Sequence, residues 1–180
     1  MSADEQTMRI AQLGEEVLRQ SAQPVCDFSD VGLAGFIGRL QQTMLEAGGI
    51  GIAAPQVFDS RAIMIIASKA NARYPDAPDM APVVMINPKI IAHSNDTEKD
   101  WEGCLSVPKL RGLVPRYKEI TFSYQDEQGA EHRLCWQGFL ARIFQHEYDH
   151  LEGIIFLDRV ADSHSMMTED EYQKRIVFQS

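Results

Sequence analysis

A chain of 180 residues with 44% hydrophobic and 24% charged residues is long enough to bury one core, so a single soluble domain spanning 1–180 is expected. Its formal net charge of −9 repels a phosphate backbone, which excludes nucleic acid as a main ligand. No window is apolar enough for a membrane span, residues 1–9 lack a leader-like apolar core, and three scattered cysteines make no disulfide framework; the expected setting is the cytoplasm.

Residues 1–6 read as a frayed terminus and 15–20 as a helical turn ended by Pro24. Val31, Leu33, Phe36, Ile37, Leu40, Met44 and Ala47 recur at three- and four-residue intervals. That spacing predicts a helix over 29–47, capped by Ser29 or Asp30 and ended by Gly48-Gly49. The small residues of Gly49-Ile50-Gly51-Ile52-Ala53-Ala54-Pro55-Gln56 suggest backbone that another group approaches closely.

Residues 62–67 form a strand apolar on both faces, and the proline-bearing stretch 69–82 reads as a surface insertion. Short strands follow over 83–86 and 90–93, split by Asn87-Pro88, and Leu113-Val114 is a further candidate. Strands 120–124 and 132–136 flank Asp126-Glu127-Gln128-Gly129, a hairpin connection. A second helix runs over 138–151 with Gly153 as terminator, then a strand over 154–157. A last helix, 168–178, is capped by Thr168 and packs through Tyr172, Ile176 and Val177. The order predicts an α+β fold: short antiparallel or mixed sheets around a central helix, with an N-terminal helix and a short C-terminal one.

The second helix carries Gln145-His146-Glu147-Tyr148-Asp149-His150, which contains His-Glu-x-x-His. This spacing stacks two imidazoles one turn apart beside a carboxylate, the arrangement of a metal site with an adjacent base. On a wheel of about 100° per residue, His146, Glu147 and His150 share the apolar arc with Phe139 and Ile143. Ala141, Arg142, Gln145, Tyr148, Asp149 and Glu152 fall on the other side. Buried imidazoles and carboxylates demand partners or a metal. A third ligand is open on spacing alone: Asp158, Asp162 and His164 lie downstream, Cys104 upstream.

Gly49-Ile50-Gly51-Ile52-Ala53-Ala54-Pro55-Gln56, Glu102-Gly103-Cys104-Leu105-Ser106 and Gln145-His146-Glu147-Tyr148-Asp149-His150 together resemble the three motifs of the peptide deformylases, in that family's order. The likeness extends over about 10–160 and includes Ile86-Asn87-Pro88. It implies removal of the formyl group from the N-terminal methionine of nascent proteins. It also implies one divalent metal ion on Cys104, His146 and His150, Fe²⁺ natively with Zn²⁺ or Ni²⁺ as substitutes, and Glu147 as proton carrier. By the same resemblance Gln56 and the Leu105 N–H hold the oxyanion. Ile50, Gly51 and Gly103 present edges to the formyl-methionyl peptide, and Ile143 and Phe139 receive the methionine. Arg111 matches a family arginine near the cleft and is expected to brace Glu102.

Departures from the family pattern are Pro55 in place of threonine, Trp101 in place of an acid, and Arg142-Ile143, nearer an organelle-like branch. The acidic 168–178 stretch differs from the basic C-terminal helix with which some members dock on the ribosome, so such docking is not expected. The rival readings are a zincin-like metallopeptidase with a downstream third ligand, and a non-enzymatic metal-binding relative.

Overall fold

The computed structural model describes residues 7–178 except 72, 73 and 76; the frayed start expected for 1–6 lies outside the described residues. In chain order the elements are α1 (Leu33–Glu46), β1 (Gly51–Ala53), β2 (Ile63–Ile66), β3 (Val83–His93), β4 (Thr97–Cys104), β5 (Val107–Tyr117), β6 (Glu119–Gln125), β7 (Glu131–Gln137), α2 (Gly138–Leu151), β8 (Met166–Thr168) and α3 (Glu169–Tyr172). The strands form two antiparallel sheets, one ordered β1-β2-β3-β6-β7 and the other β4-β5-β8. The fold is α+β, as the order of elements predicts.

Strand β2 shows why the larger sheet is covered on both sides. Successive side chains of a strand point to opposite faces. Ile63 and Ile65 pack with Leu33, Phe36, Ile37, Leu40 and Met44 of α1. Met64 and Ile66 pack on the other face with Phe122 and with Ala141, Phe144 and Leu151 of α2. A third cluster of Ala11, Leu18, Cys104, Val107, Val114, Ile155 and Phe156 lies against the smaller sheet.

Helix α2 has the bounds expected for it, and Gly153 adopts φ 71 just beyond it. Its burial differs from the wheel. Ala141, Arg142, Gln145 and Asp149, assigned to solvent, are all buried. Ala141 packs against the larger sheet, and the other three meet the second one: Gln145 both donates to the Tyr117 carbonyl and accepts from the Tyr117 N–H, while Arg142 and Asp149 reach charged groups on β4 and β5. A helix between two sheets has no solvent face over most of its length, and its polar residues serve as cross-links.

Other boundaries shift for identifiable reasons. Helix α1 begins at Leu33, because Asp30 accepts the Gly32 N–H in a turn ahead of it, and Val31 is 99% exposed. Asn87-Pro88 interrupts but does not split β3. Asn87 takes φ 51, its side chain bonds the Val25 backbone and Gln125, and the register with β6 shifts there. Leu113-Val114 belongs to the eleven-residue β5. Residues expected as a strand at 154–157 instead enter a 3-10 turn at Phe156–Arg159, where Asp158 accepts the Ile155 N–H.

The hairpin β6–β7 forms with Gly129 at φ 80. Stretch 69–82 carries no regular element among its described residues, yet Tyr74 and Met80 pack on the core, so it is more than a surface insertion. Thr168 caps α3 as expected, but a π turn, Gln173–Val177, follows, and Ile176 is exposed. Strand β8, unforeseen in the sequence, pairs with β5 at Leu110–Gly112.

The fully buried rings of Phe122 and Phe144 lie 4.0 Å apart between β6 and α2. Phe144→Ala should therefore cost about 3–5 kcal/mol in urea unfolding; a cost under about 1 kcal/mol would show that this contact does not carry the layer.

Candidate metal centre

The helical turn of α2 from His146 to His150 faces the end of β4, where Cys104 sits buried at the turn into β5. The Cys104 thiol and the two imidazoles bring one ligand atom each within 4.8 Å of one another. His150 Nε2 lies 3.3 Å from Cys104 Sγ. The downstream candidates do not join them: Asp158 bonds Arg19 and the Ile155 N–H, and Asp162 accepts from the His164 backbone. Among the described residues this is the group of three or more potential ligands that converges.

Electrostatics favour positive charge here. Burial opposes ionisation of the Cys104 thiol, yet His150 and His146 outweigh it and hold its pKa well below the usual value. Burial likewise opposes a charged His146, and Cys104 and Glu102 outweigh that in turn. Glu102 accepts from His146 Nδ1 at 2.9 Å, so that nitrogen keeps its proton and Nε2 is the one that would give up its own to a metal. One thiolate sulfur and two imidazole nitrogens fit a divalent transition ion or zinc, with room for an open position.

Glu102 belongs to a buried ionic ring. Arg116 on β5 grips both of its oxygens at 2.9 Å and reaches Asp149 on α2 at 2.5 Å. Arg142 adds a bond to Glu102 at 2.9 Å, and Arg159 pairs with Asp149 at 2.7 Å. Burial would raise the Glu102 pKa, but Arg116 and His146 hold it far below the ordinary carboxylate range. The expected Arg111–Glu102 pair does not form. Arg111 is fully buried, bonds Glu169 at 2.5 and 2.9 Å, lies between the Tyr74 and Tyr172 rings, and does not line the cleft. Alternation along β5 was the signal available: Gly112, Val114 and Arg116 share the buried face, which selects Arg116 once the strand is extended that far.

Glu147 is buried beside the ligands, and burial raises its pKa to about 7 despite His146 and His150. Among the described residues its Oε2 has no hydrogen-bond partner. A Cβ on Gly51 would overlap the Glu147 carboxylate, so the glycine is what lets β1 approach α2 here. Gln56, on a 3-10 turn over Ala54–Val57, is fixed at both ends of its amide. Its Oε1 accepts the Ala53 N–H at 2.9 Å, so its Nε2 faces Ser106 Oγ (3.1 Å) and Cys104 Sγ (3.5 Å).

A cleft opens over these groups. Ile50, Gly51, Gln56, Gly103, Leu105, Phe139, Ile143 and Glu147 all line it, so the structure gathers most of the residues singled out in the sequence. Tyr74, Trp101 and Arg142 also line it. Tyr74 comes from a loop with no regular pattern to mark it, and Arg142 is hidden by its place on the polar side of the wheel.

The family model for polypeptide deformylase matches residues 7–166. A peptide deformylase 2 of Nostoc sp. is 48% identical over 167 residues, covering 93% of each chain. One from Shewanella oneidensis is 48% identical, covering 83% of this chain and 82% of its own. A Met-Ala-Ser-bound class I type b peptide deformylase from Acinetobacter baumannii superposes with a TM-score of 0.84 at 44% identity, over 87% of this chain and 99% of that one. An actinonin complex from Synechococcus elongatus gives 0.78 at 39%, over 93% and 86%.

Glu102→Gln preserves shape but removes the charge that orients His146. Metal affinity, read by competition with a chelator, should fall about 10–100-fold; unchanged affinity would show that Glu102 does not support the site.

Proposed function

The chain belongs to the polypeptide deformylase family, and from that membership we propose how its residues divide the hydrolysis. It is a metal-binding enzyme that removes the formyl group from the N-terminal formyl-methionine of nascent proteins, releasing formate. The observation that carries the division of labour is the convergence of Cys104, His146 and His150 within 4.8 Å, with the Glu147 carboxylate alongside.

Cys104, His146 and His150 are the ligands in this reading, with Fe²⁺ as native ion and Zn²⁺ or Ni²⁺ as substitutes that the same donors accept. When bound, the ion supplies Lewis-acid polarisation and lowers the pKa of the attacking water. Glu147 takes one proton from that water as its oxygen adds to the formyl carbon. It then delivers the proton to the departing nitrogen as the C–N bond breaks. A carboxylate with a pKa near 7 suits both directions of transfer at neutral pH.

The Gln56 amide and the Leu105 N–H donate to the tetrahedral oxyanion, each such donor contributing about 3 kcal/mol. Fixing the Gln56 carbonyl on Ala53 orients its N–H₂ before substrate arrives. Ile50-Gly51 and Gly103 pair with the peptide backbone, a mode of recognition tolerant of sequence. Ile143 and Phe139 form the apolar seat for methionine. In this reading the walls at Gly51 and Gly103 admit the formyl hydrogen and exclude a methyl.

A reducing cytoplasmic setting suits the Cys104 thiolate. Among the described residues no helix is long and apolar enough to cross a membrane. Ribosome contact in this reading is transient, because Arg111–Glu169 and Tyr172 hold the C-terminal segment on β5 and its first turn is acidic. Cosedimentation at moderate salt should leave the protein in the supernatant, and stable pelleting with ribosomes would overturn that view.

The decisive assay is formate release from formyl-Met-Ala-Ser and its acetyl analogue by anaerobically purified protein. Only the formyl peptide should turn over, and no formate from protein loaded with Fe²⁺ or Ni²⁺ would overturn the reading. Glu147→Gln should keep its metal while kcat falls about 10²–10⁴-fold; retention of wild-type kcat would remove Glu147 from the role given it.

A further inference from the structure

Arg142 is a buried guanidinium that the hydrolysis does not use. Among the described residues that line the cleft it is the one arginine or lysine. Its Nη1 donates to Glu102 Oε1 at 2.9 Å and to the Val114 carbonyl at 2.8 Å, and its Nη2 donates to the Glu98 carbonyl at 2.7 Å. One side chain of α2 thus holds β4 at two points four residues apart, and β5 at a third.

Two features make this more than a structural cross-link. Arg142 and His146 stand one helical turn apart and bond the two different oxygens of the same carboxylate, Oε1 and Oε2. The Glu102 carboxylate is therefore tied to α2 through both of its oxygens. Arg116 grips the same two oxygens from β5, so it fixes the carboxylate to its own sheet and leaves Arg142 and His146 to fix it to the helix. Secondly, β4 is the strand that ends in Cys104. A grip on Glu98 and Glu102 sets how far that thiol lies from the helix bearing the two imidazoles.

Arg116 and Arg159 already balance the charges of Glu102 and Asp149, so what Arg142 adds at Glu102 is direction rather than neutralisation. We propose that Arg142 is a positioning residue for the metal centre, locking Glu102 and β4 against α2 so that His146 and Cys104 keep the spacing that retains the ion. The inference rests on the reading of Cys104, His146 and His150 as ligands.

The test compares wild type, Arg142→Met and Arg142→Lys, each loaded with Zn²⁺ and challenged with an excess of a zinc-binding dye. Arg142→Met should release zinc about 10–100-fold faster than wild type. Arg142→Lys keeps the charge but cannot span three acceptors, so about tenfold faster release is expected. This second variant carries the test if the first does not fold. Deformylation of formyl-Met-Ala-Ser by the loaded variants should show a lower kcat per bound zinc ion, with KM within about twofold of wild type; counting per bound ion removes the loss that unfolded protein alone would produce. Zinc release within about twofold of wild type from a folded variant, even one with lowered Tm, would overturn the proposal. A wild-type protein that takes up no zinc, nickel or iron would overturn the ligand assignment beneath it.

Discussion

A carboxylate taken out of water is stable only when its lone pairs are occupied by donors that restore most of the lost hydration. Glu102 meets that requirement with four charge-assisted or imidazole bonds: two from Arg116, one from Arg142 and one from His146. These donors come from β5 and from α2, while Glu102 itself lies on β4. Satisfying one buried charge thus forces the smaller sheet onto the helix, and the same contact fixes the tautomer of a metal ligand. Structure and chemistry share a single group at this point.

The larger sheet meets α2 by other means. Its contribution is apolar, through Met64, Ile66, Phe122 and Phe144, and it is non-directional. The helix therefore has a greasy side that sets its depth and a polar side that sets its rotation and register. Depth tolerates repacking; rotation does not, because a turn of about 100° would carry His146 away from Cys104. The polar interface is accordingly where the precision of the site resides, and the buried Arg116, Arg142, Gln145 and Asp149 are its parts.

Much of this was legible in the residues. The His146-Glu147-x-x-His150 spacing marked two of the three groups that converge and the carboxylate beside them, the hairpin at 126–129 was marked by its turn, and β2 was recognisable as apolar on both faces. The third converging group needed the resemblance, since spacing left Cys104 level with three downstream residues. What escaped has a common cause. A helical wheel sends polar residues to solvent, and nothing in a one-dimensional pattern says that a second sheet waits there with matching charges. Arg142 and Asp149 were lost that way. Arg111 was chosen on the resemblance alone, and Arg116 lay beyond the short strand read at Leu113-Val114, so the alternation that marks it could not be followed. Residues 154–157 read as a strand because they are a short apolar run, and local bonding by Asp158 draws Phe156–Arg159 into a 3-10 turn instead.

Strand β1 has three residues and stands at one margin of the larger sheet, while β4 stands at a margin of the smaller one. Open margins usually invite other folded chains to pair, and proteins guard against this by keeping them short. Three residues are too few to template a neighbour's sheet but sufficient for the loose end of an unfinished chain. A protein whose first residues are already paired within its own fold offers nothing to such a margin. In the proposed reading, where the peptide pairs with this margin, the brevity of β1 favours chain ends that have not yet paired within their own fold.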